Sequence, residues 1–237
     1  MTELGNSCFK GSSLISVTIP SSVTRLGYNC FSNCGNLTSI TIPSSVTSIG
    51  DYCFWGCWSL KSITIPSSIT SLGEWCFSEC SSLTSITIPS SVTSLGGGCF
   101  WGCRSLKSIT IPESVTSIGN YCFSNCWSLT SIYVKSATPP ALYSAPFDDD
   151  LLNGKCTLYV PIGATEAYEN APYWQAFSII KEIDFTTAVN GVYTPGKLVT
   201  VYALDGTVVK RQADRTRLSE TLPRGIYIVD GKKYVVR

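Results

Sequence analysis

Apolar and polar positions along residues 1–136 recur every 23 residues. Aligned from Leu37, the unit reads L-T-S-I-T-I-P-S-S-V-T-S-I-G-D-Y-C-F-W-G-C-W-S, and it returns with few changes from Leu60, Leu83 and Leu106. Pro20, Pro43, Pro66, Pro89 and Pro112 mark the same place in each unit. A unit this short cannot bury its own apolar side and must stack on its neighbours, so the period predicts a solenoid. Within the unit, Leu37, Ile40 and Ile42 point inward from a short strand while Ser39 and Thr41 point out. Pro43 has no N–H to give to a ladder and ends the strand. Val46 and Ile49 continue the apolar series, and Gly50, matched by Gly27, Gly73, Gly96 and Gly119, predicts a turn that a Cβ would hinder. The C-F-x-x-C that follows sets two sulfurs at i and i+4, on one side of a single helical turn. Each unit is thus predicted as strand, turn and short helix, an α/β repeat with parallel strands.

The pattern changes twice after the array. Residues 137–183 carry it in degenerate form: Thr157 to Pro161 repeats strand-then-proline, and Thr165 to Asn170 with Tyr168, Trp174 and Phe177 reads as short helices with a bulky apolar side. This segment is expected to cap the stack, whose last unit has an apolar flank and no neighbour. Residues 184–237 alternate differently. Val199, Val201 and Tyr202 lead into Asp205-Gly206 and return through Val208 and Val209; Ile226, Ile228 and Val229 lead into Asp230-Gly231 and return through Tyr234, Val235 and Val236. Asp-Gly between alternating apolar runs predicts two hairpins and a small antiparallel β domain.

The L-x-x-L-x-L spacing and the wording S-L-T-S-I-T-I-P-S-S-V-T-S-I-G resemble the Bacteroides surface protein A-like, or Treponema-type, leucine-rich repeats. The resemblance covers residues 1 to about 136, and A-T-P-P at Ala137 to Pro140 with T-L-Y-V-P at Thr157 to Pro161 resembles that family's closing unit. It implies a leucine-rich-repeat solenoid and a recognition or adhesion role. Two departures stand out: Ser45 occupies the Asn-ladder position, and the first cysteine of each pair stands where the family more often has alanine. The second implies a packing role for that thiol, since both residues are small and commonly buried. V-Y-A-L-D-G-T-V-V-K and L-P-R-G-I-Y-I-V-D-G-K-K-Y-V-V-R resemble C-terminal sorting domains of Bacteroidetes proteins exported by the type IX route. That resemblance implies an export or anchoring role for residues 184–237 and a surface or secreted location. Met1 falls inside a repeat, which predicts further natural sequence before it, with a signal peptide and more repeats or a cap.

Charge and composition narrow the function. Of 237 residues 44% are apolar and 14% charged, enough for an elongated core. Lys plus Arg against Asp plus Glu number 6 and 5 over residues 1–136, 2 and 6 over 137–183, and 9 and 5 over 184–237. The array has no basic stripe to neutralise phosphates, which argues against a nucleic-acid partner. No apolar run approaches the 18 or so residues of a transmembrane segment. The chain has no histidine, which removes Ser-His-Asp and Cys-His nucleophiles and His-ligated metals. Neither phosphate-binding glycine loop is present, and the sparse acids do not recur, so no enzyme and no cofactor is expected. Asp148, Asp149 and Asp150 lack the spacing of a calcium loop and read as solvated.

Cysteine is the remaining chemistry. Ten of the 12 fall in pairs, Cys30 and Cys34, Cys53 and Cys57, Cys76 and Cys80, Cys99 and Cys103, Cys122 and Cys126, with Cys8 and Cys156 as outliers. Stacked, they make two sulfur ladders. The C-x3-C spacing is not that of a zinc knuckle, and parallel Cβ vectors suit the S–S dihedral poorly, so buried free thiols are expected over metal or disulfides. What is left is surface. The strand side presents Ser39, Thr41, Ser62, Thr64, Ser85, Thr87, Ser108, Thr110, Ser131 and Tyr133, and the opposite side presents aromatics that vary between units, Tyr52, Trp55, Trp58, Trp75, Trp101, Tyr121 and Trp127. Hydroxyls also simply solvate sheets, and some rings must cover neighbouring turns. The sequence therefore predicts a non-catalytic surface or secreted protein binding an extracellular protein or glycan. A spacer without a ligand and a thiol-rich metal-binding protein are the alternatives.

Overall fold

The computed structural model describes residues 2–144 and 146–185, together with the strands Leu198–Tyr202, Val208–Asp214, Gly225–Val229 and Lys232–Val236. Two compact units divide at Glu182 and Ile183. In the first, each 23-residue coil contributes a strand to a parallel ladder. Ser16–Thr18, Ser39–Thr41, Ser62–Thr64 and Ser85–Thr87 pair in that order, and Ser108–Ile111, Ser131–Val134 and Thr157–Pro161 pair in the same way. Register is kept residue for residue, Ser62 opposite Ser85 and Thr64 opposite Thr87. Ile40, Ile63, Ile86 and Ile109 are buried between these outward hydroxyl residues, as the alternation requires. Each proline then opens a turn closed by the N–H of the apolar residue three positions on, as Val46 to Pro43 O at 3.0 Å.

A second parallel ladder runs through the two-residue strands Glu3–Leu4, Arg25–Leu26 and Ser48–Ile49, and again through Ser71–Leu72, Ser94–Leu95, Ser117–Ile118 and Ala141–Leu142. The glycines after these strands do not turn the chain through positive φ, contrary to the expectation from sequence. They are needed for close approach: a Cβ at Gly96 would stand 2.5 Å from Gly73 C, and one at Gly119 2.4 Å from Gly97 N.

The predicted short helix is absent, so the fold is a parallel β-solenoid rather than an α/β repeat. The C-F-x-x-C segment is held by two alternating sets of bonds. The N–H groups of Cys30, Ser32 and Cys34 close local turns onto Gly27, Asn29 and Phe31, whereas those of Asn29, Phe31 and Asn33 donate to Asp51, Cys53 and Trp55 of the next coil. An α-helix would spend all of these donors within the segment. The alternation needs left-handed residues four apart, Asn29 and Asn33 at φ 56° and 58°, with Tyr52 and Gly56, Trp75 and Glu79, Gly98 and Gly102, Tyr121 and Asn125 in the same places. Both cysteines of each pair do point inward.

Inside, Phe9, Phe31, Phe54, Phe77, Phe100, Phe123 and Phe147 stack face to face at 5.2 to 5.7 Å. The stack ends on Trp174 and Phe177, at 5.5 and 4.9 Å from Phe147. Tyr168 packs at 5.4 Å on Trp174 and donates its hydroxyl to Ser136 O at 2.8 Å; Trp174 Nε1 donates to Pro140 O at 2.8 Å. These bonds let bulky rings cover the terminal flank with their polar atoms satisfied. Residues Thr165–Glu169 form an α-helix and Trp174–Ala176 a single 3-10 turn.

In the second unit the described strands pair antiparallel, Val208–Asp214 with Leu198–Tyr202, then Gly225–Val229, then Lys232–Val236. The turns expected at Asp205-Gly206 and Asp230-Gly231 lie outside the described residues. No helix among the described residues is long and apolar enough to cross a membrane.

Candidate functional site

The coils differ from one another mainly around C-F-x-x-C, and that variation has a local logic. Where one coil carries a large side chain, its neighbour often supplies a glycine beneath it. A Cβ at Gly98 would stand 2.4 Å from the Trp75 ring, and one at Gly35 2.3 Å from the Trp58 ring. Gly56 likewise accommodates the Asn33 amide and Gly102 the Glu79 carboxylate. Tyr28, Tyr52, Trp75 and Trp101 form a continuous run of ring contacts at 5.6, 6.3 and 6.0 Å. Trp55 and Trp101 alternate with the buried Ser32, Ser78 and Ser124, giving a two-coil period on top of the 23-residue one.

The sequence-derived aromatic set therefore splits in two. Tyr52, Trp55, Trp75 and Trp101 are half-buried, with Tyr52, Trp75 and Trp101 packed on rings of neighbouring coils. Trp58, Tyr121 and Trp127 are 53%, 52% and 54% exposed. Trp127 carries the Arg104 guanidinium 4.6 Å from its ring centroid, and Arg104 reaches Glu79 at 3.4 Å. An exposed ion pair of this kind is worth under about 1 kcal/mol, so its effect is to hold the cation against the indole rather than to stabilise the stack.

On the strand side Ser39, Thr41, Ser62, Thr64, Ser85, Thr87 and Ser108 are exposed, and Thr110, Ser131 and Tyr133 are half-buried toward the capped end. Tyr133 stacks on Tyr159 at 4.6 Å. Other hydroxyl columns are spent on the stack itself. Ser45 donates to Val23 O at 2.7 Å and Ser91 to Ile69 O at 2.6 Å, so serine at the Asn-ladder position still joins each coil to the one before it. Thr38, Thr84, Thr93 and Thr130 do the same at 3.1 to 3.3 Å.

The thiols face the interior. Every cysteine except Cys8 is buried, and all are free. The second of each pair donates its S–H to the phenylalanine carbonyl of the preceding coil, Cys57 to Phe31 at 3.2 Å, Cys80 to Phe54 at 3.3 Å, Cys103 to Phe77 at 3.2 Å and Cys126 to Phe100 at 3.1 Å. Burial pushes the Cys30, Cys126 and Cys156 thiols up to about 12, and the others between them also upward. A metal ligand or nucleophile must be a thiolate, and this environment opposes one. Among the described residues no group of three or more Cys, Asp or Glu side chains is placed to hold a metal ion.

Sequence reasoning missed the left-handed positions. Asn33, Gly56, Gly102 and Asn125 were a visible signal, since Asn and Gly are the residues that tolerate positive φ, but Glu79 in the same column and Tyr52 and Trp75 in its companion concealed it. Asp148 departs from the solvated role its sequence predicts: its carboxylate accepts the Asn125 N–H, the donor that in earlier coils goes to the next coil's carbonyl.

Residues 2–138 match, in 6 copies, the family described as BspA type Leucine rich repeat region. Among solved structures, a T. pallidum leucine-rich repeat protein is 30% identical with a TM-score of 0.54, over 62% of this chain and 66% of its own. A leucine-rich repeat protein from Bacteroides ovatus is 28% identical with a TM-score of 0.59, over 78% of this chain and 46% of its own. A leucine rich cell surface protein from Faecalibacterium prausnitzii is 30% identical over 56% of this chain and 51% of its own, at a TM-score of 0.40. The chain thus spans 66% and 46% of the length of the first two proteins. A comparison with curated proteins gives no match.

Proposed function

This chain belongs to the BspA-type leucine-rich repeat family, and from that premise we propose that it is a recognition protein of a bacterial surface, displayed or secreted, that binds an extracellular protein or glycan through the side of the solenoid bearing Trp58, Tyr121 and Trp127. The family is one of repeat proteins, typically non-catalytic, and the chain has no histidine. The observation that carries the reading is the exposure of these three rings, whereas Tyr52, Trp55, Trp75 and Trp101 on the same coils are half-buried. A solvent-exposed indole gains by being covered, and aromatic residues with a polar edge are the ones most enriched at the energetic centres of interfaces. The uncharged hydroxyl columns of the strand side are a second surface open to a partner. Export fits the wording of residues 184–237, the tail that resembles a sorting domain.

Binding to arrayed extracellular proteins and glycans, compared with that of Trp58→Ala/Trp127→Ala, tests the reading. The double variant should keep its melting temperature and lose at least tenfold in affinity. Equal binding by both proteins would move recognition to the strand side, and no binding by either would favour the spacer. The glycine that seats the half-buried Trp75 gives that alternative its support, because it ties ring variation to coil packing.

A further inference from the structure

The capped end holds a cavity. After Phe147 has joined the phenylalanine stack, Asp148 is fixed by the Asn125 N–H, and the chain swings out through the helical turn Leu151–Lys155 with Gly154 at φ 97°. Asn125, Trp127, Asp149, Asp150, Leu151 and Lys155 line the resulting space of about 250 Å³. That is below the roughly 300–1,000 Å³ of pockets for drug-sized ligands and suits a single small ring.

Its chemistry is uneven in an informative way. Arg104, from the preceding coil, covers one face of the Trp127 indole, while Asp149, Asp150 and Lys155 come from the following coil. Trp127 thus meets both the Arg104 guanidinium and the cavity, whose lining also holds carboxylates and an ammonium. A pyranose has the matching features: an apolar C–H face to lie on an indole, and a rim of hydroxyls that donate to carboxylates and accept from an ammonium. Asp148 also lines the space, and three Asp against the single Lys155 disfavour an acidic sugar. We propose that this cleft binds one neutral hexopyranose unit of a glycan, with Trp127 as its platform and Asp149 and Asp150 as acceptors of its hydroxyls. The proposal rests on the aromatic side being the recognition surface, and it names the ligand class for one end of that side.

Saturation-transfer NMR on the full chain with methyl glucoside, methyl galactoside, methyl mannoside and glucuronate tests it. At least one neutral glycoside should receive saturation, with affinity at least tenfold weaker in Trp127→Ala, several-fold weaker in Asp150→Asn, and unchanged in Lys10→Ala, an exposed position in the first coil. Trp127 and Asp150 are exposed, so both variants should melt with the parent, and Asp150→Asn keeps the side-chain shape. No transfer from any neutral glycoside, glucuronate binding as well as they do, or full binding by Trp127→Ala would overturn the cleft. A Trp58-dependent protein or glycan ligand found alongside any of those results would leave the recognition surface standing without it.

Discussion

A buried thiol that gives its proton to a carbonyl is a structural group, and its proton has consequences for stability. Cys126 is 1% exposed, bonded to Phe100 O, and pushed up to about 12 by burial. In the unfolded chain the same thiol ionises near its ordinary value of about 8.5. Because the folded value is the raised one, the stabilisation is fully present below about pH 8.5 and is lost as pH climbs toward about 12. At pH 9.5 each such thiol has forfeited on the order of 1 kcal/mol. Urea midpoints should thus change little on the thiols' account up to pH 8 and fall steeply above pH 9. Between pH 7.5 and 9.5 the loss in Cys126→Ala should be about 1 kcal/mol smaller than in the parent; an identical loss would mean that the sulfur is not shielded. At this scale the sequence was partly legible. Small apolar behaviour of the cysteines follows from their place in a packing repeat, but the carbonyl each one meets lies 26 residues away in the chain for Cys57 and Cys80, beyond any local pattern.

The coil is an element with three hydrogen-bonded sides, of which the sequence announced one clearly. Period-two alternation around Ile40 predicted the long strand and its exposed residues, and the structure has both. The two-residue strands such as Ser48–Ile49 are too short to alternate, and the C-F-x-x-C side mimics a helical turn because i and i+4 cysteines face inward in either geometry. What distinguishes them is where the N–H groups go, which depends on the next coil. The recurring glycine is a case of the same dependence: its lack of a Cβ matters for approach between coils. Gly96→Ala would drive a methyl group to 2.5 Å from the Gly73 backbone, which cannot yield as a flexible side chain would. The substitution should cost about 2–4 kcal/mol, at the upper end of ordinary point mutations, read as a fall in urea midpoint. Gly5→Ala meets no atom within 4 Å and is the control; equal, small effects at both sites would refute the close-approach account.

At the scale of the array, the proposed recognition role separates the side chains that join coils from those left to a partner. Phenylalanines, thiols and ladder hydroxyls repeat because each coil must fit the next, as in any quasi-one-dimensional repeat protein. Trp58, Tyr121 and Trp127 break that rule by staying exposed, and the sequence could list them among seven aromatics without telling which four would pack away. Recognition of an extracellular partner requires that this surface be outside the cell. Labelling intact cells with a membrane-impermeant amine reagent, for the chain with and without residues 184–237, measures that directly. Exposed lysines such as Lys61 and Lys107 provide the targets. The account predicts label on the full chain in intact cells and its loss when the tail is removed. Label confined to lysed cells would contradict it.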